Sequence, residues 1–134
     1  MVDGIDVGLG KVGPSLWRAP TDNDGVRYGW MNEVSGVRPQ WVSWGLDRLD
    51  VQLDLVERGE TPTGATAITF TRRLVGDDAT AVATSMFVVD DSSIALHESI
   101  KIPDAWTDLP RIGTRFEIAP RFDRLRWFGR GIHE

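Results

Sequence analysis

The chain contains no cysteine, which excludes disulfides and thiolate metal ligands and fits a reducing compartment. It has no apolar run of about eighteen residues, the length at which a helix could span a bilayer. Its first ten residues, MVDGIDVGLG, carry two aspartates where a secretory leader would be basic, and no apolar stretch follows. Neither Asn23 nor Asn32 opens a glycosylation sequon. Net charge is −5 and is spread without blocks, which argues against a nucleic-acid footprint. The setting expected from these absences is cytoplasmic, with neither membrane nor nucleic acid as a partner. No repeat, low-complexity tract or linker divides the 134 residues, and that length suits one domain with a real core.

Catalytic signatures are equally sparse. His97 lies in a strand pattern with no second histidine three or four residues away, so a zinc-protease helix is excluded, and His133 stands beside Glu134 at the end. No Gly-x-Ser-x-Gly, phosphate loop or dinucleotide fingerprint occurs. Gly8-Leu9-Gly10 lacks the strand-to-helix setting that such a motif needs.

What is present is a hydrophobic pattern of period two. Leu49 to Leu55 alternates apolar and polar without a break, as a half-buried strand does. Thr66 to Val75, with Ile68 and Phe70 on one face, reads similarly among β-branched threonines. Val82 to Val89 is apolar on both sides, and Ile94 to Ile102 alternates, placing Glu98 with Leu96 and Ile100 and His97 opposite. Ile112 to Ile118 and Leu125 to Phe128 close the series. Turn signals separate the runs at Gly59 to Gly64, Gly76 to Asp78, Asp90 to Ser93 and Ala119-Pro120. Only Asn32 to Leu46 has room for a helix, and Pro39 limits it to a short one. The pattern predicts an all-β fold, an antiparallel β-sandwich, with residues 1–134 forming a single all-β domain or part of one.

The least regular stretch is SLWRAPTDNDGVRYGW, from Ser15 to Trp30. As a calcium loop, Asp22, Asp24 and Gly25 would take positions 3, 5 and 6. Pro20 and Met31 would then stand at positions 1 and 12, where carboxylates are required. As a glycosidase pair, Asp22 and Asp24 would share a side of an extended segment at about 6–7 Å between backbones, but acid and base would need differently tuned environments. As a turn, Pro-Thr-Asp-Asn-Asp-Gly is good chemistry on its own. Six tryptophans allow a sugar-stacking surface, although Trp41 and Trp44 are expected in the core and Trp127 inward with Leu125. A carbohydrate-binding module stays open on composition.

Two segments add a resemblance. LWRAPTDNDG, Leu16 to Gly25, is similar to the start of the C-terminal domain of glycoside hydrolase family 2 β-galactosidases, the β-galactosidase small-chain domain, which shows Trp-Arg-Ala-Pro-Thr/Leu-Asp-Asn-Asp. LPRIGTRFEI followed by WFGRGIHE, Leu109 to Ile118 and Trp127 to Glu134, resembles a later stretch of that domain, with Ile132 where the family usually has proline. The resemblance covers nearly the whole chain and about the first half of the family's domain, so the end at Glu134 reads as a truncation.

The resemblance implies part of a galactose-mutarotase-like supersandwich belonging to an enzyme that removes terminal non-reducing β-D-galactose with retention. The family's two catalytic glutamates lie on a TIM barrel absent here, and its Mg and Na ions sit mainly on that barrel. No catalytic residue, metal site or cofactor is therefore expected in this chain. It implies scaffold and a rim loop at the active site instead, with Asp22, Asn23, Asp24 and Gly25 matching the motif and Val26 to Trp30 in the loop. Trp17 and Arg18 would support it, with Arg18 paired to one aspartate. The partners implied are the remaining domains or a large subunit, with β-galactoside as substrate of the whole. A sandwich cut midway would expose edges and apolar surface, so the fragment is expected to be a homo-oligomer. A free-standing carbohydrate-binding module and a structural or oligomerisation sandwich are the alternatives.

Overall fold

The computed structural model describes residues 11–21, 24, 37–122, 124 and 126. Among the described residues six strands dominate: β1 (Val12–Ser15), β2 (Asp50–Glu60), β3 (Thr66–Val75), β4 (Thr80–Val89), β5 (Ile94–Lys101) and β6 (Gly113–Phe116). One short helix, α1 (Arg38–Ser43), and a 3-10 turn, Leu46–Arg48, precede β2. The fold is all-β, with every strand pairing antiparallel and the strands sorted into two sheets.

β2 to β5 form a meander in chain order, because each connection is a short turn of the kind their residues favour. Asp90 makes the clearest of these. Its carboxylate accepts the backbone N–H groups of Ser92 and Ser93 at 2.8 and 2.7 Å, and both hydroxyls as well. Those bonds, led by the one from Ser92, lower its pKa to about 2. The turn expected from Gly59 starts later, since β2 continues through Glu60 and Thr61 closes it by bonding to Ala65.

The register gives the large sheet one apolar face. Leu74, Arg72, Phe70 and Ile68 of β3 lie beside Ala81, Ala83, Ser85 and Phe87 of β4, and these beside Ile100, Glu98 and Leu96 of β5. One end of this face is covered. Leu16, Trp41, Trp44, Leu46 and Trp106 pack there on Leu74, Ala81 and Ala83 to make the buried core. The two alanines leave the space that the indoles fill. Trp41 and Trp44 are in the core as the sequence predicts.

The helix falls inside the expected window, with Pro39 in its first turn where the missing N–H costs nothing. Gly45 ends it in the left-handed region at φ 74°, and a Cβ there would lie 2.8 Å from Asp77 Oδ1.

Two findings depart from the sequence reading. β1 joins β6 in a second, two-stranded sheet, although its Gly13-Pro14 centre gives little strand signal. The unbroken alternation of 49–55 does not give a half-buried strand. A register shift between Leu53 and Leu55 interrupts β2, and Val51 and Leu53 are 53% and 56% exposed. β2 is an edge strand, and these side chains stay about half open to solvent. The strand expected over Leu125 to Phe128 lies outside the described residues, except for the exposed Arg126.

Candidate functional site

Pairing of β1 with β6 sets Ser15 opposite Gly113, so the chain leaving β1 starts beside the segment entering β6. Leu16 turns into the core at 1% exposure and fixes that departure. Trp17 meets Trp41 edge to face, with centroids 6.5 Å apart. Arg18 is then held from four directions. Its guanidinium gives a two-pronged pair to Asp24, Nη1 to Oδ2 at 2.7 Å and Nη2 to Oδ1 at 2.8 Å. Nε donates to the Pro110 carbonyl at 2.9 Å, Nη1 also reaches the Ala19 carbonyl, and the group lies 5.3 Å over the Trp41 ring. Trp41 in turn donates Nε1–H to the Asp108 carbonyl. The motif around Arg18 and the later Leu-Pro-Arg-Ile-Gly segment therefore meet through Arg18 and Pro110, 92 residues apart in sequence.

Asp24 closes the turn on itself. Its N–H donates to the Thr21 carbonyl at 3.0 Å, while Oδ2 accepts the Thr21 N–H at 2.6 Å and hydroxyl at 3.0 Å. This reciprocal bonding across three residues resembles a capping box. The side chain is largely buried, with the residue 8% exposed. The bond from Arg18, then that from the Thr21 backbone, holds its carboxyl well below the usual range. The same pair raises the Arg18 pKa.

A carboxylate held this way stays ionised at neutral pH and has no proton to donate. Its environment is the reverse of the raised pKa that a glycosidase acid needs. Trp17, Arg18 and Asp24 are brought together. Asp22, Asn23, Gly25 and the loop expected over Val26 to Trp30 lie outside the described residues. Among the described residues no three His, Asp or Glu side chains converge, so they offer no carboxylate-rich set for a divalent cation.

A second polar group escaped sequence reasoning. Ser85, 1% exposed in the centre of the sheet, donates to Glu98 Oε1 at 2.7 Å and accepts from Arg72 Nη1 at 3.0 Å. Glu98 Oε2 accepts the Thr114 hydroxyl of β6. The chain Arg72–Ser85–Glu98–Thr114 thus ties the small sheet to the large one. The signal was a glutamate and a serine in rows otherwise apolar, at Leu96-x-Glu98-x-Ile100 and Ala81-x-Ala83-x-Ser85. His97 falls on the opposite face, as alternation predicts.

The family model described as beta galactosidase small chain matches residues 3–134. A curated protein named beta-galactosidase from Arthrobacter sp. (strain B7) is 33% identical over 144 aligned residues. That alignment takes in 95% of this chain and 14% of the relative, so the chain spans about a seventh of the relative's length. The chain belongs to the beta galactosidase small chain family.

Proposed function

We propose that this chain is a non-catalytic part of a β-galactosidase, an enzyme hydrolysing terminal non-reducing β-D-galactose from β-galactosides. Its task there is to supply scaffold and to anchor a loop at the rim of the active site. The observation that carries this reading is the Arg18–Asp24 pair, braced by the Pro110 carbonyl and the Trp41 ring. So many restraints on one short turn suit a rigid base from which Asp22, Asn23 and Gly25 launch a loop that opens and closes. Trp17 and Arg18 are the supporting residues. The catalytic glutamates and the Mg and Na ions belong to other parts of the enzyme.

The exposed apolar side chains of β2 and of Ile112 and Ile118 support a larger assembly, since such surface normally meets a partner. The remaining domains or a large subunit are that partner, and residues 1–134 are one part of a larger domain. Alone, the chain self-associates through the same surface. The cytoplasmic setting drawn from the sequence belongs to this reading.

A free-standing carbohydrate-binding module has less support. Trp41, Trp44 and Trp106 are buried and present no face to a sugar. Galactose and lactose titrations by calorimetry separate the two readings, with no heat expected for the scaffold and millimolar binding favouring the module. The direct test is Asp24→Asn in the whole enzyme. It is expected to lower kcat/KM for an aryl β-galactoside about tenfold or more with the fold retained, by loosening the loop base. Unchanged kcat/KM would count against the anchoring role.

A further inference from the structure

We propose that the cleft between the chain leaving β1 and the start of β6 is an anion site for a phosphate-class oxyanion, free or borne on a sugar. Its walls are Arg18, Arg111 and Arg115 with Trp17, Phe116 and Thr114, and among the described residues no carboxylate lines it. In a chain of net charge −5 this is a local reversal of sign, and such a concavity concentrates anions.

The three guanidiniums are not equivalent. Arg18 is committed to Asp24 and Pro110 and serves as wall. Arg111 is exposed, and no hydrogen bond or ion pair engages it among the described residues. Its guanidinium is nonetheless placed, because it folds over Gly113. A Cβ at Gly113 would meet Arg111 Nε at 3.3 Å and Nη2 at 3.9 Å, so the missing side chain is the space that the guanidinium uses. Among the described residues Arg115 has only a loose surface pair with Glu117 at 3.7 Å, which a stronger anion displaces at little cost.

Two available forks beside one cleft decide the ligand class. A planar carboxylate is satisfied by a single fork, as Asp24 is by Arg18. A tetrahedral group with three outward oxygens accepts from both Arg111 and Arg115. Phe116, 53% exposed in the same wall, offers an apolar face to whatever carries the group.

The site is tested on the 134-residue chain by calorimetry or NMR titration, with inorganic phosphate in one arm and glucose 6-phosphate in the other. Hydrolysis of a galactoside is not read, so failure here leaves the scaffold reading standing. Saturable binding that weakens with added NaCl is expected. Tighter binding of the sugar phosphate would identify a sugar-borne group, and equal binding the oxyanion alone. Arg111→Ala is expected to weaken binding about tenfold or more, the loss of a charge-assisted contact. Gly113→Ala weakens it by crowding the same guanidinium, whereas Arg58→Ala on β2 leaves it unchanged. Near-UV circular dichroism confirms the fold of each variant. Absence of binding in both arms, or equal binding by wild type and Arg111→Ala, overturns the proposal.

Discussion

Trp41 is the point where the core and the candidate site share one side chain, which makes its replacement the most informative perturbation. The residue is 3% exposed, carries Trp17 on its edge and Arg18 above its ring, and donates to the Asp108 carbonyl. Trp41→Ala removes one of the three indoles of the buried cluster from a setting of close-packed neighbours. A truncation of this kind costs ~3–5 kcal/mol, the spread reflecting how far the surroundings collapse. For a domain of this size, that corresponds to a fall in Tm of about 10–20 °C. Trp41→Phe keeps an aromatic face beneath Arg18 but loses volume and the bond to Asp108, so a smaller loss of ~1–3 kcal/mol is expected. Urea unfolding followed by far-UV circular dichroism reads both values, and an unchanged m-value shows that the folded state is otherwise comparable. A loss under ~1 kcal/mol for the alanine variant would refute the account of the core, because a buried indole is not removed from a packed interior so cheaply.

Other outcomes follow from the same contacts. Gly76→Ala is expected to destabilise by ~1–3 kcal/mol, since its Cβ would lie 2.4 Å from the Trp44 carbonyl and 2.8 Å from the Trp106 ring, and thermal melts check this. Stability is expected to fall on acidification. Asp24 and Asp90 have depressed carboxyl pKa values in the folded chain, so their contribution is complete above the unfolded value near 4 and is lost as pH drops towards the folded ones. Urea midpoints between pH 6 and pH 2.5 measure it, and Asp90→Asn should flatten the slope. Thr114→Val deprives Glu98 of its donor from β6 and is expected to loosen the small sheet by ~1–3 kcal/mol, with faster amide exchange in β1 and β6 as the specific sign.

The large sheet was legible because its residues agree at every level. Alternation, β-branched content and acidic turns all point to the same strands, and β3 runs over the predicted Thr66–Val75. β1 was not legible, since four residues centred on Gly13-Pro14 form a strand only by pairing with β6 some hundred residues later. The exposure of β2 was hidden for a related reason. Alternation reports which side of a strand is apolar, and whether anything covers that side depends on surfaces elsewhere.

At the site, the bonding of Arg18 to an aspartate was an expectation that came with the resemblance of the Leu16 to Gly25 motif. Its reach to the Pro110 carbonyl and its seat on Trp41 were not legible, because backbone carbonyls and ring faces leave no mark in a sequence. Glu98 was visible as a charge in an apolar row, but its partners Ser85 and Thr114 come from two other strands.

The central claim is that this chain supports a β-galactosidase active site without performing the chemistry. Aryl β-galactoside hydrolysis by the pure 134-residue chain tests that claim most directly. The account predicts no turnover above buffer, in wild type and in Asp24→Ala alike. Turnover by the wild-type chain that disappears in Asp24→Ala would contradict it.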